Sequence, residues 1–221
     1  MSKTLYFASA AALAMATLTG TANAAAGDTL IRVRAIMVSP TEKSGPILPA
    51  FPANGVKVND AFTPEVDITK MITDNIGVEL IAATTKHSAS GNSGVPGTIG
   101  KLASTWVLPP TLTVQYHLAP TAKIRPYVGV GANLTLFYSE NASKGLEAAV
   151  GKTKVQMKTS AGWAAQAGLD IDLNEKMFLN IDVKYIDIDT RAKLSTTAAG
   201  VQNVKISLDP IVVGVGVGFR F

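Results

Sequence analysis

The C-terminal stretch 211–221, IVVGVGVGFRF, limits what this chain can become more than any other. Its odd-numbered positions, Ile211, Val213, Val215, Val217, Phe219 and Phe221, are all apolar. Its even-numbered positions are Val212, Gly214, Gly216, Gly218 and Arg220. Successive side chains of a strand point to opposite faces. One face is therefore continuous hydrocarbon, and the other is mostly glycine with one charge. A soluble sandwich strand can carry such a face. The length, the terminal position and the closing aromatic favour a lipid-facing strand, because about ten residues of tilted strand cross a bilayer.

The start of the chain points out of the cytoplasm. Lys3, an apolar run over 5–18 and the small-x-small triplet Ala22-Asn23-Ala24 predict a cleaved secretory signal peptide over residues 1–24. The apolar run is too short for a membrane anchor. Residues 25–221 are then read as a single domain. The chain has no cysteine, which fits an exported protein that does not rely on disulfides. Charged residues make up only 16%, below the usual quarter. The basic residues are scattered, so a nucleic-acid partner is not expected. After residue 24 no apolar run is long enough for a membrane helix. A chain of this kind that enters a membrane must do so as a closed barrel, the one sheet without an edge.

Strand periodicity recurs along the chain. Strands are expected over 29–39, 62–72, 76–86, 105–118, 126–138, 161–173, 177–190 and 211–221. Long irregular links are expected over 40–60, 87–104, 139–160 and 191–204, with a single helical turn over 145–150. The first link carries Pro40, Pro46, Pro49 and Pro52, which forbid a regular ladder. Short turns separate the other strands, as at Thr73-Asp74-Asn75 and Asn174-Glu175-Lys176. Links that alternate long and short predict an all-β fold, an eight-stranded antiparallel transmembrane β-barrel with long external loops and both termini periplasmic. The location expected is the outer membrane of a Gram-negative bacterium, with its lipid as the surrounding partner. Phe219 and Phe221 resemble the terminal signal read by the barrel assembly machinery.

A charge on the lipid face near mid-membrane costs roughly 2–4 kcal/mol for Arg or Lys. The apolar faces must point outward, and the polar ones collect inside. Arg32, Arg34, Glu65, Asp67, Glu79, Gln115, His117, Asp170, Asp172, Asp182, Lys184 and Arg220 are the expected lumen residues. An eight-stranded barrel is just wide enough for its side chains to fill. Arg32, Glu79, Gln115, His117, Asp170, Asp172, Asn180, Asp182 and Arg220 are therefore expected to pair as a plug toward the periplasm. Above it, Ile81, Ala83, Gly129, Gly131, Val212 and Gly214 predict an apolar upper cavity suited to a small hydrophobic ligand. No catalytic set is recognised. His87 is placed at the start of an external loop and His117 at the periplasmic side, so no metal site and no cofactor are expected.

Several segments resemble the OmpW family of outer-membrane proteins: residues 73–80 (TDNIGVEL), 108–112 (LPPTL), 125–129 (RPYVG), 187–190 (DIDT) and 208–221. The resemblance implies an eight-stranded barrel with a hydrophobic interior closed toward the periplasm. It implies uptake of small hydrophobic compounds, a sideways exit into the membrane, and in some members a role as colicin or phage receptor. Carried over by position, the family's apolar constriction falls at Ile81 and Lys184. Ile81 fits; Lys184 departs from the bulky apolar residue expected there, although its stem could line the gate while its charge reaches Asp182.

Overall fold

The structure, a computed structural model, describes residues 25–221, so the predicted signal peptide lies outside the described residues. In chain order the elements are β1 (Thr29–Ser39), β2 (Lys43–Ser44), β3 (Val56–Val58), β4 (Ala61–Met71), β5 (Ile76–Ala83), β6 (Thr85–Gly91), α1 (Gly94–Ile99) and β7 (Lys101–Leu108). There follow β8 (Thr111–His117), β9 (Ile124–Ala142), α2 (Lys144–Val150), β10 (Thr153–Met157), β11 (Ser160–Asp172), β12 (Met177–Ile186), β13 (Asp189–Thr196), β14 (Gly200–Ser207) and β15 (Ile211–Arg220). The strands β1-β4-β5-β8-β9-β11-β12-β15 pair in that order, all antiparallel, and β15 returns to β1. That ring is the eight-stranded barrel the periodicity predicts.

The barrel is apolar outside and polar inside. Phe62 is 78% exposed and Val130 66%, whereas Arg32, Asp67 and Asp170 are fully buried. Such an inverted distribution is stable only where the outer face meets lipid. Local chemistry sets the short turns. Thr73 Oγ1 accepts from the Ile76 amide at 2.9 Å, and Asn174 Oδ1 accepts from the Lys176 and Met177 amides at 2.9 Å. Both ends of the described segment lie at this same rim, where Thr29 and Phe221 exchange backbone hydrogen bonds of 2.9 Å. Phe219 on β15 and Phe221 just past it lie at this rim, with Phe221 exposed.

The other rim differs from expectation. Residues 87–104 and 191–204, expected as irregular links, form hairpins. β6 and β7 pair across α1, and β13 pairs with β14. The predicted strand 177–190 stops at Ile186 and resumes as β13, and β9 runs on to Ala142. β10, β13, β14 and β2 make a separate four-stranded sheet above the barrel. Above the lipid a strand needs only one apolar face, so Ser, Gly, Thr and Lys replace the outer hydrocarbon and the sequence reads as a loop. Residues 40–60 keep only the short β2 and β3, and the helical turn expected at 145–150 is α2, capped by Ser143 Oγ accepting from the Leu146 amide at 3.0 Å.

One seam of the wall is interrupted. β5 and β8 pair as far as Ile81 opposite Thr111, and β6 and β7 resume at Thr85 opposite Val107. Between these points residues 82–84 face 108–110 without ladder pairing. Pro109 and Pro110 have no amide hydrogens to offer, and Thr84 Oγ1 reaches Val107 O at 3.3 Å.

Candidate functional site

Register builds the lower half of the lumen. Alternation along β1 turns Arg32 and Arg34 inward, and pairing with β4 sets them opposite Asp67 and Glu65. Arg32 Nη1 lies 3.1 Å from Asp67 Oδ1 and donates to Thr69 Oγ1 at 2.7 Å, while its Nη2 donates to Asp170 Oδ2 at 2.9 Å. Arg34 Nη2 is 2.7 Å from Asp67 Oδ2, and its Nη1 donates to Asn180 Oδ1 at 3.0 Å. Glu79 Oε2 accepts from Thr113 Oγ1 at 3.0 Å and from Gln166 Nε2 at 2.5 Å. Tyr127 OH donates to Asp182 Oδ2 at 2.9 Å, and the Arg32 guanidinium lies 5.2 Å from the Tyr127 ring centroid. Burying one unpaired charge costs several kcal/mol; each of these charges has two or more partners, which offsets that cost.

A lower tier continues toward the short turns. Arg125 pairs with Asp172, Arg220 Nη2 donates to Asp172 Oδ1 at 3.3 Å, and His117 Nε2 meets Gln115 Oε1 at 3.1 Å. Leu30, Met71 and Phe178 form an apolar cluster at this end. The lumen is thus filled by side chains from its lower rim to the level of Arg34.

Above that level the lumen changes character. An apolar cavity is walled by Ile36, Ile81, Val107, Ile186, Leu208 and Val212 and floored by Glu65 and Lys184. Ile81, Ala83, Val212 and Lys184 all line it. The Lys184 stem reaches along the wall, and its Nζ lies 2.8 Å from Glu65 Oε1 and 2.5 Å from Asp182 Oδ1. A second apolar cavity lies among the upper hairpins, against Leu102, Val155, Ala192, Val204 and Ile206. His87, Val107 and Leu208 border both.

Asp182 accepts from Tyr127 OH and from Lys184 Nζ, within the polar network beneath the cavity floor. Two placements differ from expectation. Gly129 and Gly131 stand opposite Gln115 and Thr113 in the β8–β9 register, within the polar network rather than the apolar cavity. His87 is a buried strand residue facing inward, not the start of a loop. Its Nδ1 is 2.9 Å from Asn59 O and its Nε2 3.0 Å from Thr85 Oγ1. Burial lowers its pKa from the ordinary 6.5, against the opposing pull of the Asn59 carbonyl and Asp60.

Sequence reasoning missed Arg125, Tyr127, Gln166, Ile36, Ile186 and Leu208 as lumen residues. Parity could have found several. Ile36 shares the phase of Arg32 and Arg34, and Arg125 shares that of Tyr127.

The comparisons with known proteins agree with this geometry. The OmpW family model matches residues 25–221. Outer membrane protein W of Salmonella typhi is 38% identical, over 96% of this chain and 97% of its own. The crystal structure of the outer membrane protein OprG from Pseudomonas aeruginosa superposes with a TM-score of 0.85 at 31% identity, covering 90% of this chain and 98% of that one. The solution structure of the E. coli Outer Membrane Protein W gives 0.58 at 34% identity, covering 89% of this chain and 99% of that one. With its closed eight-stranded wall, polar lower lumen and apolar upper lumen, the chain belongs to the OmpW family of outer-membrane β-barrel proteins.

Proposed function

We propose that this protein is a passive conduit for small hydrophobic molecules across part of the outer membrane. The observation that carries this reading is the apolar cavity standing on a floor of paired charges. A ligand entering from the upper hairpins loses water gradually along apolar walls, then meets side chains that leave no straight path to the short-turn rim. That rim is periplasmic in this reading. The interrupted seam opens beside the cavity, since Ala83, Thr85, Val107, Pro109 and Thr111 line it. Exit is therefore sideways, between residues 82–84 and 108–110. The C-terminal Phe219 and Phe221 serve recognition by the assembly machinery.

The test is fluorescence quenching of a hydrophobic probe by purified protein in detergent, comparing wild type with Ile81→Arg. Saturable binding that the arginine removes, with heat-modifiable barrel migration unchanged, is the expected result. Absence of binding by wild type, together with unchanged tracer uptake on deletion and overexpression, overturns the reading. A receptor barrel that works through its external segments, for a colicin or a phage, is the second reading. Trimming residues 40–60 and 139–160 abolishes activity under it and leaves uptake largely intact under the first.

A further inference from the structure

The floor of the barrel cavity has hydrogen-bonding capacity that the protein does not use. Lys184 carries three donors. Two are taken by Glu65 Oε1 and Asp182 Oδ1. Glu65 Oε1 accepts from Lys184 Nζ at 2.8 Å and makes an ion-pair contact with Arg34 Nε at 2.8 Å, and its Oε2 accepts no hydrogen bond among the described residues. Both side chains line the cavity. The other polar groups at its edge are satisfied internally. Thr111 Oγ1 donates to Pro109 O at 2.9 Å and accepts from Asn133 Nδ2 at 3.0 Å, and both His87 nitrogens have partners.

We infer that the cavity selects neutral amphiphiles, molecules with an apolar chain and one terminal hydroxyl, over plain hydrocarbons and over charged amphiphiles. The inference rests on the conduit reading and names its substrate class. The chain lies against Ile36, Ile81, Ile186 and Val212. The hydroxyl donates to Glu65 Oε2 and accepts the third proton of Lys184 Nζ. A hydroxyl suits this pair because it is donor and acceptor at once. A carboxylate head would meet Glu65 and Asp182, two like charges that already engage both nearby cations, Lys184 and Arg34. An ammonium head would meet Lys184, already 2.8 Å from the carboxylate it would need. A hydrocarbon leaves both polar groups facing an apolar end, a costly arrangement.

The experiment is competition against a bound hydrophobic fluorophore on the purified full-length barrel. The competitors are 1-decanol, decyl methyl ether, decane, decanoate and decylamine. The ether accepts but cannot donate, so its gap from the alcohol reads the contact with Glu65. 1-Decanol is expected to displace the probe at about tenfold lower concentration than the ether, a gap typical of one hydrogen bond to a charged partner. Decanoate and decylamine are expected to be weaker than 1-decanol. In Glu65→Leu the gap between alcohol and ether closes. Because the series is read on wild type, poor folding of the variant does not remove the test. Equal displacement by alcohol and ether, with saturable probe binding intact, overturns this inference and leaves the conduit standing. Failure of wild type to bind the probe at all removes both.

Discussion

Arg32 and Asp170, 138 positions apart in the chain, join across the bore of the barrel through an Nη2–Oδ2 hydrogen bond of 2.9 Å. The bond ties β1 to β11, which are not neighbours in the wall. Asp170→Ala leaves the Arg32 guanidinium with Asp67 and Thr69 but strips its partner on the far side. Breaking a buried pair from one end costs roughly 3–5 kcal/mol. The expected outcome is a lower temperature for loss of the fast-migrating folded form on unheated gels. Paired replacement, Arg32→Met with Asp170→Leu, is expected to recover much of the loss.

The filled lower lumen predicts poor ion conduction. Arg32, Arg34 and Tyr127 occupy the centre of the bore with their acidic partners. Planar bilayer recordings of wild type should lack a large, steady conductance. Replacing Arg32, Arg34 and Tyr127 together by alanine should produce one. A large steady current in wild type would mean that the floor does not close the barrel.

Gly216 marks where two strands approach closely. A methyl group there would lie 2.0 Å from Val33 O and 2.6 Å from the Arg34 Cα, both backbone atoms. Gly216→Ala must therefore move the β1–β15 seam, at a cost of about 1–3 kcal/mol. Gly100→Ala, with open space around its Cβ direction, adds no clash but carries the backbone strain of its φ of 75°. Equilibrium unfolding in urea with lipid vesicles should rank Gly216→Ala as the more damaging.

His87 gives the upper hairpins a defined acid response. Its pKa is lowered in the folded protein by burial, so the unfolded hairpin binds protons more readily than the folded one. Stability contributed by neutral His87 is present above the ordinary value near 6.5 and is lost as pH falls through the lowered folded value. Amide protection factors in β6 and β7, corrected for the intrinsic slowing of exchange in acid, should fall on acidification below about pH 6.5. In His87→Gln that added sensitivity should be missing, while the exchange of β1 and β15 stays the same in both.

Legibility in the sequence followed the solvent. Within the lipid, both faces of a strand are constrained. β1 was therefore readable to the residue, 29–39, and the inward set from Arg32 to Arg220 emerged from alternation and the cost of lipid-facing charge. Above the lipid only the inner face is constrained. Ala192, Leu194, Val204 and Ile206 face inward while Arg191, Lys193 and Lys205 face water. Small and charged residues dominate there, and the β13–β14 hairpin read as a loop. The site was half visible for a related reason. Ile81, Val212 and Lys184 could be placed by parity within single strands. The meeting of Lys184 with Glu65, 119 positions away, depends on ring closure and on the bend of a side chain, which no strand pattern encodes.

The closure of the wall by its own ends has a consequence for biosynthesis. Leu30 stands opposite Arg220, and Ser39 opposite Ile211. The first strand waits for β15, so the cylinder stays open until that strand has been made. A chain stopped before β15 would carry two raw edges, on β1 and β12, each ready to pair with a stranger. Because β15 alone joins β12 to β1 in the described ring, a copy that lacks it has no means of sealing its wall.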